Sequence, residues 1–118
     1  RFLDKSEYHP NYLRLYSIKL LRKLIEIFYK TNVTDCTSGC QILSKKLIKE
    51  LIRNKGFEYS EVGIICFTSK LNMSIQENFV NMKERKTGAS SFNLTNSFTY
   101  MFKNILILLS SITINFKK

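Results

Sequence analysis

Residues Val33–Leu43, with the sequence VTDCTSGCQIL, separate two stretches of helical periodicity and decide how the chain is organised. The threonines, the serine and the glycine make this stretch a loop, because these residues favour turns over helix interiors. Asp35 is its single acidic residue and the only carboxylate between Glu26 and Glu50. A carboxylate in this setting either caps a turn or acts as a base beside a substrate, so the rest of the chain must decide between the two.

Three segments around this loop have the spacing of amphipathic helices. The first is predicted to begin around Pro10–Tyr12, where proline favours a first helical turn, and to run for about 18 residues. Ser44 predicts the N-cap of a short helix over Lys45–Arg53, and Ser60–Lys70 carries apolar residues at helical spacing, including Cys66 as a core residue. The predicted inward residues are Leu13, Tyr16, Leu20, Leu24, Ile27 and Phe28 in the first helix, Leu47, Ile48, Leu51 and Ile52 in the second, and Val62, Ile65 and Cys66 in the third.

Two other segments are predicted to be extended. Cys40–Leu43 is a short apolar run, and Met73–Met82 mixes apolar and polar residues in alternation, as a half-buried strand does. Helices interleaved with short strands predict an α/β fold. The 118 residues suffice for one domain with a modest core.

The C-terminal residues 94–116 are predicted to form a hydrophobic helix. Its uninterrupted apolar run, Ile105–Leu109, is far shorter than the roughly 20 residues that cross a bilayer, and Lys103 and Asn104 precede it. We therefore expect this helix to pack against the domain or to lie at a membrane surface. The residues predicted on its apolar side are Phe98, Met101, Phe102, Ile105, Leu108, Leu109 and Ile112.

Composition narrows the classes of function. An apolar fraction of 44% excludes a disordered chain, and a net charge of +10 favours anionic partners such as phosphate groups, nucleic acid or an acidic membrane surface. Three cysteines are an odd number, which argues against a disulfide framework and favours a reducing cytosol. Cys36 and Cys40 have no second pair beside them, and His9 is distant in sequence, so no zinc site is predicted.

A second candidate site is the basic stretch Lys83–Ser91, KERKTGASS. Gly88 lets the backbone approach an anion closely, and Arg85 can grip two phosphate oxygens at once. Ser90 adds a hydroxyl donor. The stretch is equally compatible with an ordinary solvated turn.

Taken in order, these segments resemble a known family. The T-D-x-T-S-G loop around Asp35 follows a long amphipathic helix, and IQENFV, with Glu77, comes later in the chain. Arg85-x-x-Gly88-x-Ser90-Ser91 follows, and then a hydrophobic helix with Tyr100 and Met101. This order resembles the C-terminal half of family 2 glycosyltransferases, which include dolichyl-phosphate mannose synthase-like and bacterial polysaccharide enzymes. The resemblance covers about Tyr12 to Leu109.

The resemblance implies part of a GT-A fold, with residues 1–118 as its acceptor-side portion and the N-terminal nucleotide-binding half missing. It implies transfer of a sugar, with inversion, from a nucleotide-diphospho-sugar donor to a lipid-phosphate or glycan acceptor at the cytoplasmic face of the membrane. The intact enzyme is expected to need a divalent metal, Mg or Mn, whose ligands are not in this chain. This portion alone is expected to be inactive.

The same resemblance assigns the site residues. Asp35 becomes the catalytic base, and Thr37, Ser38 and Gly39 become substrate-binding residues of its loop. Arg85, Gly88 and Ser90 belong to a loop that closes over the diphosphate. Cys40 departs from the family, because an aromatic residue usually follows this glycine.

Two other classes of function remain open on the residues alone. The net charge and the aromatic residues also suit a small nucleic-acid-binding module, although no nucleic-acid-binding fingerprint is present and most aromatics have core-type spacing. A membrane-surface module would use the basic face of the first helix and the apolar C-terminal helix. The transferase interpretation is compatible with the membrane surface as a partner and predicts no nucleic-acid partner.

Overall fold

The computed structural model describes residues 12–54, 60–80 and 94–114. These residues form four helices: α1 is Tyr12–Tyr29, α2 is Lys45–Arg53, α3 is Glu61–Lys70 and α4 is Leu94–Thr113. No strand occurs within the described ranges. The predicted α/β class, and with it the partial GT-A fold, is therefore wrong for this structure, which is all-helical where it is described.

The segments predicted as strands are irregular over their described residues, 40–43 and 73–80. Along residues 71–78 the side chains alternate between half-buried and exposed, as the sequence pattern predicted, but Phe79 and Val80 are both exposed. A strand also needs a hydrogen-bonded backbone ladder to a neighbour, and none joins this segment to another among the described residues. In the other segment Cys40 and Ile42 are exposed, so no apolar strand is buried there.

The core lies between α1, α3 and α4. Its buried apolar residues are Ile18, Leu21, Ile25, Val33, Cys36, Val62, Ile65, Cys66 and Leu108. Val62, Ile65 and Cys66 confirm the predicted inner face of α3. The face predicted for α1 is only partly correct, because Leu24 packs against the core, whereas Tyr16, Ile27 and Phe28 are exposed. The fully buried residues of α1 lie on a neighbouring stripe. A helix that is apolar over much of its circumference does not itself specify which stripe meets the core.

Serine N-caps define two helix starts, and the cap at Ser44 confirms the prediction made for that residue. Ser44 Oγ accepts from Leu47 N at 3.2 Å, and Ser60 Oγ accepts from Gly63 N at 3.1 Å. The inward face predicted for α2 is only partly correct. Leu47 is buried, whereas Ile48 and Ile52 are 43% and 61% exposed. No described element covers the outer side of this short helix.

The buried stripe of α4 contains two polar residues. Asn104 and Ser111 are 1% and 0% exposed, and they alternate with Ile107 and Leu108. Phe102, predicted on the apolar side, is instead 63% exposed. Ser60 Oγ, at the N-cap of α3, donates to Asn104 Oδ1 at 3.1 Å, which shows that the stripe faces α3. Of the helices within the described residues, none combines the length and the apolarity that a membrane span requires.

The C-terminal ends of α1, α3 and α4 meet in what we call the helix-end cluster, formed by Tyr29, Thr31, Ser69, Lys70 and Ser111. Tyr29 Oη hydrogen-bonds Ser111 Oγ, and Thr31 Oγ1 donates to Ser69 Oγ at 2.7 Å. Lys70 Nζ donates to the carbonyl oxygens of Ser111, Ile112 and Ile114 at 2.7, 3.0 and 2.5 Å. A cation therefore occupies the negative end of the α4 dipole.

Candidate functional site

A carboxylate from a distant part of the chain holds the loop that contains Asp35. Glu77 Oε1 accepts from Thr34 N and from Asp35 N, each at 2.9 Å. Glu77 Oε2 accepts from Thr34 N and from Thr34 Oγ1, each at 2.8 Å. Hydrogen bonds to an ionised acceptor are stronger than neutral ones, so this contact fixes the loop backbone at the position of Asp35. We call residues 31–43 the Asp35 loop.

Asp35 itself makes a local turn. Its Oδ1 accepts from Thr37 N at 3.1 Å and from Thr37 Oγ1 at 3.0 Å. A side-chain oxygen that accepts from the backbone two residues later forms an Asx-turn, which is the capping role that the sequence left open. The other oxygen, Oδ2, is covered from solvent. An acceptor hydroxyl would therefore reach Oδ2 only after the loop or its surroundings move.

Cys36 lies beneath this loop as part of the core. Burial raises the pKa of its thiol to about 12, and the negative charges of Asp35 and Glu77 act in the same direction. A thiol with so high a pKa stays protonated at neutral pH and is a poor nucleophile or metal ligand. Cys40, on the other side of the turn, is exposed. The two cysteines thus share no common site in this structure.

A second carboxylate lies at the far end of the loop. A Cβ atom placed on Gly39 would be 3.7 Å from Glu61 Oε1, so the Glu61 side chain lies directly beside that glycine. Tyr100 Oη donates to Glu61 Oε2 at 3.1 Å, and Gln41 Nε2 donates to the Glu61 carbonyl at 3.3 Å. Burial, followed by the charge of Glu61, raises the pKa of Tyr100 to about 12. Tyr100 therefore remains a hydrogen-bond donor at neutral pH.

The predicted site residues are only partly accounted for. Asp35, Thr37, Ser38 and Gly39 lie together in one loop. The other three, Arg85, Gly88 and Ser90, lie outside the described residues. Within the described ranges no group of three or more His, Cys, Asp or Glu side chains is arranged to hold a metal ion. The resemblance places the ligands of the expected Mg or Mn outside this chain.

Three contributors to the site were not assigned a role from the sequence: Glu77, Glu61 and Tyr100. Glu77 had a usable signal, because it follows Met73 and Ile75 on the half-buried side of an alternating segment. A carboxylate on a buried side needs hydrogen-bond partners, which predicts a specific contact. Glu61 had no such signal, because an acidic residue directly after a serine N-cap is ordinary helix chemistry.

The chain matches no protein-family model, and no curated protein or solved structure is significantly similar to it.

Proposed function

We propose that this chain is the acceptor-side part of a glycosyltransferase that transfers a sugar, with inversion, from a nucleotide-diphospho-sugar to a lipid-linked or polysaccharide acceptor. One observation carries the proposal. Glu77 of the IQENFV segment bonds directly to Thr34 and Asp35 of the T-D-x-T-S-G loop, 43 and 42 residues away. Two segments of the ordered set that resembles the family thus lie in contact.

The proposed reaction balances on this chain's residues and the donor. The acceptor oxygen forms a bond to the anomeric carbon while the bond from that carbon to the diphosphate breaks, and the diphosphate leaves with the electron pair. Asp35 accepts the proton of the acceptor hydroxyl. Arg85 stabilises the charge that develops on the diphosphate. A divalent metal held outside this chain would add further positive charge there, and the role of Asp35 does not depend on it.

The surroundings of Asp35 suit an acceptor with hydroxyl groups. Glu61 offers a carboxylate beside Gly39, and Tyr100 holds that carboxylate in place. Carboxylates bind sugar and polyol hydroxyls well because they accept two hydrogen bonds side by side. Hydroxyl groups of an acceptor could therefore be held at one end of the loop while another is deprotonated at Asp35.

The test of this function needs a protein that joins the chain to a donor-binding half. We would assay release of nucleoside diphosphate from UDP-glucose, UDP-N-acetylglucosamine and GDP-mannose, each with polyprenyl phosphate in detergent. Arg85→Ala should lower kcat/KM for the donor by roughly 10- to 150-fold, the value of a charged hydrogen bond to phosphate. Arg85→Lys should recover only part of the loss, because an ammonium makes no two-pronged contact.

The matched control for Arg85→Ala is Lys86→Ala, which removes one positive charge from the neighbouring position. It should leave kcat/KM within about twofold, as rim charges usually do. Equal kcat/KM for the donor in wild type and Arg85→Ala would show that the basic stretch Lys83–Ser91 is ordinary solvated surface. Turnover with none of the three donors would contradict the proposed reaction for these substrates.

The outer face of α4 favours a second, compatible role at a membrane surface. Phe102, Leu106 and Leu109 form an exposed apolar stripe on that helix, with Lys103 next to it. Apolar side chains combined with a net charge of +10 suit the surface of an anionic bilayer. The chain should float with vesicles of phosphatidylcholine and phosphatidylglycerol and much less with phosphatidylcholine alone. Phe102→Ser should weaken flotation, whereas Tyr16→Ser on α1 is its control.

A further inference from the structure

We infer that Glu77 is a positioning residue, which sets the place of Asp35 for proton transfer from the acceptor. The inference rests on the proposed function, because it assigns to Glu77 an effect on the reaction that operates through Asp35. Glu77 itself need not touch the substrate. Its carboxylate bonds to the backbone N–H of the reacting residue and to both donors of the residue before it.

The contact uses both oxygens of Glu77 against a very short piece of chain. Thr34 N lies 2.9 Å from Oε1 and 2.8 Å from Oε2, so the carboxylate straddles this amide. Asp35 N adds a bond of 2.9 Å to Oε1, and Thr34 Oγ1 adds one of 2.8 Å to Oε2. Three donors on two adjacent residues define both the distance and the orientation of the backbone from which the Asp35 side chain leaves.

The Asp35 loop has no regular structure of its own to perform this task. Residues 30–44 lie in neither a helix nor a strand, so their amide groups are not held by a repeating ladder. The Asx-turn of Asp35 with Thr37 fixes the side chain relative to the loop. Glu77 fixes the loop relative to the rest of the domain. Catalysis requires both, because misplacing a reacting group by about 1 Å can cost a hundredfold in rate.

Position 77 departs from the apolar pattern of its segment. Met73 and Ile75, on the same half-buried side of the segment, are apolar, and Ile75 packs against the core. An apolar side chain at position 77 would continue that packing, but it would leave the amides of Thr34 and Asp35 without this acceptor. The carboxylate is instead aimed at two amide groups that belong to the loop of the proposed base.

The first arm of the test uses this chain alone and needs no activity. Amide hydrogen exchange would be compared between wild type and Glu77→Gln, since glutamine keeps the size but loses one acceptor oxygen and the charge. Exchange at Thr34 and Asp35 should become roughly 10- to 150-fold faster, the value of a charged hydrogen bond. The amide of Leu47, held by Ser44, should not change and serves as an internal reference. Unchanged exchange at Thr34 and Asp35 would overturn the inference.

Two further variants distinguish a local effect on the exchange of the loop amides from a general loss of folding. Thr34→Val removes one donor to Glu77 with little change in shape, and it should speed exchange at Asp35 in the same direction but by less. Glu26→Gln removes an exposed carboxylate of α1 and should leave both loop amides as in wild type. Faster exchange in Glu26→Gln equal to that in Glu77→Gln would point to a charge effect and overturn the inference.

The second arm measures kinetics in the protein joined to a donor-binding half, with the same three donors and polyprenyl phosphate. Glu77→Gln should lower kcat by roughly 10- to 100-fold and leave KM for the donor within about twofold. When Asp35→Asn is already present, Glu77→Gln should lower kcat by less than about twofold, because a positioning residue has nothing left to position. If the losses of kcat in the two single variants multiply in the double variant, Glu77 supports the fold generally and the inference is overturned.

The two ways of failing are distinguishable. If Asp35→Asn turns over at the wild-type rate, Asp35 is not the base, and the proposed function fails together with the inference. If Asp35→Asn is impaired while Glu77→Gln is not, the proposed function stands and only the positioning role is overturned.

Discussion

At the helix-end cluster, hydroxyl groups and Lys70 bond mainly to carbonyl oxygens near helix ends, whereas in the Asp35 loop a carboxylate accepts from backbone N–H groups. Every helix leaves its last carbonyl groups without intrahelical partners, so hydrogen bonds such as those of the helix-end cluster are expected wherever helices pack together. Nothing in the packing of helices demands the second arrangement. Glu77 lies 42 residues after Asp35 in the sequence, and its carboxylate fixes the irregular turn that contains Asp35.

The two regions also differ in how their charge is balanced. The negative ends of the helix dipoles at the first region meet the positive charge of Lys70. At the second region, the carboxylates of Asp35 and Glu77 act on the same core thiol, Cys36, and both raise its pKa. The first region therefore serves the fold, whereas the second is the one to which we assign a role in the proposed reaction.

The largest effect should follow from removing the charge of Asp35. In a protein joined to a donor-binding half, Asp35→Asn should lower kcat by roughly 100- to 10,000-fold and leave donor binding unchanged, because the amide still fills the turn but accepts no proton. Diphosphate release would be measured beside Glu26→Gln, which removes an exposed carboxylate. A rate within a few-fold of wild type would reduce Asp35 to a turn cap, and both regions would then be structural.

High pH should weaken the fold through groups in both regions. Folding raises the pKa of Cys36 from about 9 to about 12, and that of Cys66 from about 9 to about 11, chiefly through burial. It raises the pKa of Tyr29 and of Tyr100 from about 10 to about 12, also chiefly through burial. A raised pKa means that the unfolded chain releases its proton first. The stabilisation that these four groups contribute should thus be fully present below about pH 9 and be lost between pH 9 and 12.

Alanine variants of the two buried cysteines assign this alkaline loss to one region or the other. Urea unfolding from pH 8 to 11 should show a shallower decline for Cys36→Ala and for Cys66→Ala than for wild type, because the pKa of each thiol is raised by folding. Equal slopes in both variants and in wild type would show that neither thiol titrates with unfolding.

Helix positions were largely predictable because they depend on local signals. Ser44 and Ser60 mark two starts through side-chain caps that the sequence displays directly, and the first helix was placed at its observed length. The buried faces were less predictable. Asn104 is buried because it bonds to Ser60 and to the Tyr100 carbonyl, and those partners are a property of the packing of α3 against α4.

The strands failed for a different reason. Alternation along Met73–Met82 predicts which side chains turn inward, and the segment alternates as far as Asn78, after which Phe79 and Val80 are both exposed. Pairing is a relation between two segments, and alternation within one segment does not show whether another lies beside it. The site has the same limit, because a contact between distant segments is not visible in either segment alone. Asp35 was predicted from the composition of its loop, whereas Glu77 was identified as its partner only from the structure.

Removing Lys70 should lower stability without affecting the reaction. Lys70→Met keeps the aliphatic stem and deletes three bonds to carbonyls at the end of α4. We expect the free energy of unfolding to fall by about 1–2 kcal/mol, the usual value of a partly buried charge at a helix C-terminus. Urea unfolding would measure this, with the exposed Lys19→Met as control at less than about 0.5 kcal/mol. A drop in kcat without a drop in stability would erase the distinction between the two regions.

The smallest effect should come from Thr31, which begins the Asp35 loop but whose side chain belongs to the helix-end cluster. Its Oγ1 donates to Ser69 Oγ at 2.7 Å, and Ser69 Oγ donates to the Ile65 carbonyl at 2.8 Å. Thr31→Val removes this hydroxyl and should lower the free energy of unfolding by about 0.5–1.5 kcal/mol, whereas Thr31→Ser should retain most of it.

Thr31→Val also probes whether the two regions are mechanically separate. If they are, amide exchange at Asp35, whose backbone N–H donates to Glu77, should keep its wild-type rate in Thr31→Val, because Glu77 holds the loop independently of the helix ends. Amide exchange and urea unfolding on the same samples give both readings. Faster exchange at Asp35 in Thr31→Val, but not in Thr31→Ser, would show that the helix-end hydroxyls also position the proposed base, and the helix ends would then be part of the site.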